Sequence, residues 1–133
     1  MTSLPSIIEQ AEEFLRELAA DLVAPRPSEC LSCYVARMLD DMPCDGSHRH
    51  ALRYRDALAP RATALLERLS QVGACCCDCE LFANGYQLRA EFFPPAGPDD
   101  DDRGLVLDEL PPCAGVRRGS IRPCRNWVRI YRR

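Results

Sequence analysis

Cys30-Leu31-Ser32-Cys33-Tyr34-Val35-Ala36-Arg37-Met38-Leu39-Asp40-Asp41-Met42 runs a CxxC directly into a helical pattern. Tyr34, Val35, Met38, Leu39 and Met42 recur at the spacing of one helix face. A CxxC turning into a helix aims both sulfurs and nearby backbone N–H groups at one point, the arrangement of a zinc knuckle. The other cysteines extend the pattern. Nine occur in 133 residues, and Cys75-Cys76-Cys77-Asp78-Cys79 is denser still. The N-terminus has no basic stretch followed by an apolar run, so export is not indicated and a cytoplasmic protein is expected. Thiols stay reduced in that compartment, and clustered thiols then point to a soft metal ion, zinc first.

Working outward, Ile7, Ile8, Ala11, Phe14, Leu15, Leu18, Ala19 and Leu22 predict an amphipathic helix over about residues 4–23. Its apolar face is expected to pack on the core, with docking to a partner as the alternative. Pro5 suits its first turn, and Pro25 and Pro27 end it. Pro43-Cys44-Asp45-Gly46-Ser47 breaks the CxxC helix, and Asp45 or Ser47 is placed to cap a third helix over about 47–58. A fourth is predicted over about 60–72, closed by Gly73. Residues 80–92 read as extended, with Asn84-Gly85 suggesting a small hairpin or a turn onto the core. The fold class is therefore mainly α: a small helical domain with a short β-hairpin or extended segment, stapled by zinc.

We read 1–133 as a single domain in four parts. They are the N-terminal helix (4–23), a cysteine-containing helical core (30–92), an acidic loop (93–112) and an Arg-rich, cysteine-containing tail (113–133). The run Asp99–Asp102 reads as solvated chain. Trp127 is expected to pack. No apolar run approaches the roughly 18 residues of a membrane span.

Tetrahedral zinc needs four sulfur or nitrogen donors. Cys30 and Cys33, Cys77 and Cys79, and Cys113 and Cys124 form pair-like units, and Cys44 stands alone near His48 and His50. The simplest arithmetic joins Cys30, Cys33, Cys113 and Cys124 in one site. A second would take Cys44, Cys77 and Cys79 with His48 or a spare cysteine. One ion or two satisfy it. Blander readings stand beside these. Cys75 and Cys76 suit buried small apolar positions after a helix, and His48 suits a surface histidine. Asp78 and Glu80 suit groups that orient ligands or cap helices. A thioredoxin-like redox role for the CxxC lacks the surrounding βαβ pattern.

Cys44-Asp45-Gly46-Ser47, a helix, Gly73, Cys77-Asp78-Cys79-Glu80-Leu81 and then Asn84 resemble a bacterial domain family of unknown function. That family is marked by Cys-Asp-x-Thr and Cys-Asp-Cys-Glu segments followed by an Asn. The match covers roughly residues 43–85. With Cys30-Leu31-Ser32-Cys33-Tyr34 and the stretch from Cys113 to Trp127, the chain looks like a longer subset from GC-rich Gram-positive bacteria. Many members carry His two positions after the first Cys, where this chain has Gly46, and the Thr is Ser47. The resemblance implies no activity. It implies that, if that His is a ligand elsewhere, His48 or another cysteine replaces it here.

Net charge is −3, unevenly spread, and every basic residue is Arg. Arg117, Arg118, Arg122, Arg125, Arg129, Arg132 and Arg133 lie in the tail with no acid among residues 113–133. Bulk charge does not describe a nucleic-acid binder. Nucleic acid remains an alternative contact through Arg117, Arg118, Arg125 and Arg129, with Trp127 and Tyr131 as stacking groups. No catalytic set is visible: no Ser/His/Asp context, no phosphate-binding glycine loop, no HExxH and no zinc-deaminase signature. The expected function is that of a small zinc-binding interaction or regulatory module with an unknown protein partner. The alternative is an enzyme or metal-transfer protein with an open thiolate site.

Overall fold

The computed structural model describes residues 6–92 and 110–130. The Asp99–Asp102 run, Pro5 and Tyr131 lie outside the described residues. Helix α1 spans Ile7–Val23, α2 Leu31–Asp41, α3 Arg49–Leu58 and α4 Leu65–Gln71. A π-helical turn, Leu81–Gly85, leads into strand β1, Tyr86–Leu88, and a single 3-10 turn, Ala90–Phe92, follows. Strand β2, Trp127–Arg129, pairs antiparallel with β1, placing Tyr86 opposite Arg129 and Leu88 opposite Trp127. Of the stretch 80–92 read as extended, only Tyr86–Leu88 is a strand, flanked by helical turns, and its partner comes from the tail and not from a local hairpin. Among the described residues, no helix is long and apolar enough to cross a membrane.

The core sits between α2, α3 and α4. Leu31, Tyr34, Val35 and Met38 from α2 meet Ala51 and Tyr54 from α3 and Leu65 and Leu69 from α4. The rings of Tyr34 and Tyr54 lie 5.6 Å apart. Both hydroxyls are satisfied in the interior. Tyr34 Oη donates to the Val23 carbonyl at 2.6 Å and Tyr54 Oη to the Glu29 carbonyl at 2.7 Å. Glu29 is itself buried and takes a two-pronged ion pair from Arg37, at 2.8 and 2.9 Å. The connection between α1 and α2 is thus fastened by side chains of the helices it precedes, because a buried carboxylate and buried carbonyls need partners.

Two helix starts differ from the sequence reading, each for a local reason, and one helix end matches it. Helix α4 begins at Leu65 and not near Pro60, because residues 59–65 are taken up by short turns, Ala62 N–H to Ala59 O and Leu65 N–H to Ala62 O. Helix α3 begins at Arg49, whose N–H is accepted by Ser47 Oγ at 3.3 Å, and Asp45 in turn bonds Ser47. The N–H groups of His50 and Ala51 are received by the carboxylate of Asp78, at 2.8 and 3.2 Å. Gly73 does close α4: with φ +93°, it donates to Ser70 O while Ala74 N–H bonds Leu69 O.

Helix α1 overturns the expectation of core packing. Ser6 and Glu9 form a capping box at its start, yet none of its residues is buried. Ile7, Ile8, Phe14, Leu15, Leu18 and Leu22 are exposed, and only Val23, the last residue, packs against the core. Periodicity encodes an apolar face; it does not encode what covers that face.

Candidate metal centres

Cys30 is the N-cap of α2, and its Sγ accepts from the Cys33 N–H at 3.4 Å. A sulfur at this position meets the exposed donors of a helix start, which favour negative charge. The tail arrives from the other side: Leu31 N–H donates to Ser120 O at 3.0 Å. It brings Cys113 and Cys124 to the CxxC, and all four sulfurs lie within 4.8 Å of one another. Cys33 Sγ and Cys124 Sγ are 3.6 Å apart. A tetrahedral zinc ion with Zn–S bonds of about 2.3 Å separates its sulfurs by roughly 3.8 Å, so the spacing fits.

Trp127 seals this cluster. It is buried, stacks on Phe82 at 4.9 Å and donates from its indole N–H to Cys33 Sγ at 3.3 Å. The segment around Trp127 is therefore part of the interior. Arg129 is likewise engaged, donating to the Val72 carbonyl at 3.2 Å and lying over the Tyr86 ring. Arg117, Arg118 and Arg125 are exposed.

The thiols of this first cluster titrate against one another. Cys30 is drawn down to about 5, first by its hydrogen bond with the Cys33 thiol, and, against burial, by N–H groups of Cys33 and Cys124. Cys33 is driven up, first by the same bond to Cys30 and then by burial. Cys113 is pushed up to about 12, first by burial and then by the charge on Cys30. Four thiolates cannot share so small a dry volume alone. A divalent cation removes that conflict.

A second cluster gathers Cys44, Cys77 and Cys79, also within 4.8 Å of one another. The Cys77 and Cys79 sulfurs are 3.1 Å apart. Asp78, between them, is buried and accepts the two N–H groups at the start of α3, while its own N–H bonds Ser47 O at 3.0 Å. The Cys-Asp-Cys segment is thereby welded to the chain that follows Cys44. Cys44 is lowered, first by the Cys79 N–H and then by the Gly46 N–H. Cys79 is raised to about 12, first by its hydrogen bond with Cys77 and then by that with Cys44.

His48 belongs to neither cluster. It is buried, and its Nε2 lies 2.9 Å from the Ala74 carbonyl, so it is not the surface residue that its position beside Arg49 suggested. Cys75 and Cys76 are also misplaced by the sequence reading. They are exposed, not buried, and joined in a disulfide between neighbours. Glu80 Oε1 accepts the Cys76 N–H at 3.1 Å. Sequence reasoning allowed Asp78 a capping role but not which helix it caps, because a cap supplied from a remote segment leaves no trace in local spacing.

Residues 31–84 match a family described as "Protein of unknown function (DUF2695)". The matched stretch takes in helix α2 and the Cys-Asp-Cys segment but neither Cys30 nor the tail cysteines of the first cluster. No curated protein and no solved structure matches the chain.

Proposed function

We propose that this protein is a zinc-stapled interaction module that engages a protein partner through α1. The observation that carries the reading is the exposure of that helix: Ile7 is 85% exposed, Leu22 67% and Phe14 59%. A row of large apolar side chains on a helix with no buried residue is the signature of a helix-in-groove ligand. Glu9, Glu12, Glu13, Glu17 and Asp21 share this helix with a single base, Arg16. The partner that suits it is an amphipathic surface with basic flanks. A second copy of α1 would oppose acid to acid.

Zinc at Cys30, Cys33, Cys113 and Cys124 serves this role structurally. A site closed by four protein sulfurs leaves no position for a reacting water, which supports a staple over a catalyst. The module reading is tested with a synthetic amphipathic helix carrying Leu on one face and Arg on its flanks. Binding that weakens with salt and is lost in Phe14→Glu/Leu15→Glu, while zinc content and melting are kept, is the expected result. An acid-flanked control that binds equally well, or a concentration-dependent dimer abolished by the same substitutions, overturns the proposed partner.

A further inference from the structure

The two clusters differ in a way that separates their chemistry. In the first, Cys30, Cys33 and Cys124 are buried and four sulfurs converge. In the second, Cys79 is exposed, Cys44 and Cys77 are half-buried, and among the described residues no fourth histidine, cysteine or carboxylate lies within the same 4.8 Å. The nearest other donors stand outside that set. His48 Nε2 is at the Ala74 carbonyl and His50 Nε2 at the Met42 carbonyl, with His50 Nδ1 buried and unpartnered among the described residues. Glu80 Oε1 holds the Cys76 N–H while lying 3.6 Å from Cys77 Sγ, one of the three sulfurs. Cys75 and Cys76 are bonded to each other. Gly46, two positions after Cys44, has no side chain, and a Cβ built there meets nothing within 4 Å. A soft ion held by Cys44, Cys77 and Cys79 therefore has a coordination position that no fourth histidine, cysteine or carboxylate among the described residues fills.

We propose that the Cys44–Cys77–Cys79 cluster is a metal-exchange site: it binds a soft divalent ion on three thiolates and passes it to, or takes it from, an incoming thiol at the fourth position. The inference rests on the metal-binding reading above but not on the partner assigned to α1. Three thiolates outweigh the charge of a divalent ion, so a water bound beside them is poorly acidified and hydrolytic chemistry is disfavoured. The same open position favours associative exchange. An incoming thiol releases its proton to solvent and forms a metal–sulfur bond, while the bound water leaves with its electron pair. Each chain sulfur that then lets go takes up a proton. No electron changes hands, and the ion keeps its charge throughout. Buried sulfurs admit no such attack, so the first cluster retains its ion.

The test is the transfer of zinc from the loaded protein to a chromophoric chelator, followed in time with and without glutathione. The expected result is two phases, with one ion leaving quickly at a rate that rises with thiol concentration and one leaving slowly. Cys79→Ser should remove the fast phase and its ion while the slow ion stays. Cys75→Ser/Cys76→Ser should keep both phases. Sulfur counting by X-ray absorption on the protein trapped with one ion in the second cluster should give three sulfurs and one lighter donor. Two ions leaving at one rate, a fourth sulfur at that ion, or loss of the second ion from the Cys75→Ser/Cys76→Ser protein overturns the proposal. Retention of the slow ion in a Cys124→Ser variant would sink the staple and leave the exchange site standing. Binding of no ion at all would sink both.

Discussion

At the scale of single residues, Asp78 shows how a motif can be structural in an unexpected way. It lies between two sulfurs, yet its carboxylate is turned to the N-terminus of α3. Both of its bonds join a buried acid to helix N–H groups, where the dipole favours negative charge. Asp78→Ala is expected to lower stability by about 2–4 kcal/mol, since two charge-assisted bonds are lost and two donors are stranded. Urea unfolding measures the loss. Asp78→Asn, which keeps an acceptor, should recover part of it. His48 makes a contrasting case. His48→Gln is expected to leave zinc content unchanged, as measured by elemental analysis, because its ring nitrogen serves the Ala74 carbonyl. The cysteine pairs were legible because coordination requires sulfurs at short spacing, and Cys30/Cys33 and Cys77/Cys79 meet that requirement. Which pair joins which is set by chain paths, and His48 was misjudged because spacing cannot report a bond to a backbone carbonyl far along the chain.

At the scale of elements, helices α2 and α3 were legible and the pairing of β1 with β2 was not. The helix signal is repeated within each element, as at Tyr34, Val35 and Met38. The strand signal in three residues is slight, and Tyr86 finds Arg129 across a wide gap in the sequence. The N-terminal helix and the C-terminal strand also exchange the roles that composition suggested. Removal of residues 1–19 is expected to leave the melting temperature nearly unchanged, because α1 buries no side chain there. Truncation after Cys124 is expected to destroy the first cluster: it deletes Trp127, its bond to Cys33 and the whole of β2. Loss of a buried Trp alone costs about 3–5 kcal/mol, a large part of the stability of a small domain. Circular dichroism with zinc analysis checks both truncations.

At the scale of the molecule, metal removal should expose the conflict among the thiols. In the metal-free protein, Cys30 stays ionised down to about 5 against an ordinary 9.0. Between those values the unfolded chain binds more protons, so stability rises with pH across that window and is lost as pH falls through about 5. Cys33 and Cys113 are shifted the other way, and Cys113 reaches about 12. Above 9.0 the unfolded chain therefore sheds protons first, and stability falls. A maximum near pH 9 in melts of chelator-stripped protein under reducing conditions is the expected outcome, and a flat profile would contradict it. The separation of Cys33 from Cys124 by 91 positions carries one more consequence, in the timing of synthesis. Cys44, Cys77 and Cys79 leave the ribosome well before Cys124 does. During translation the nascent chain thus presents a finished three-sulfur set together with an unfinished two-sulfur one. An ion arriving early would find only the exposed set complete, and the buried one would acquire its ion last, in the act that locks the tail in place.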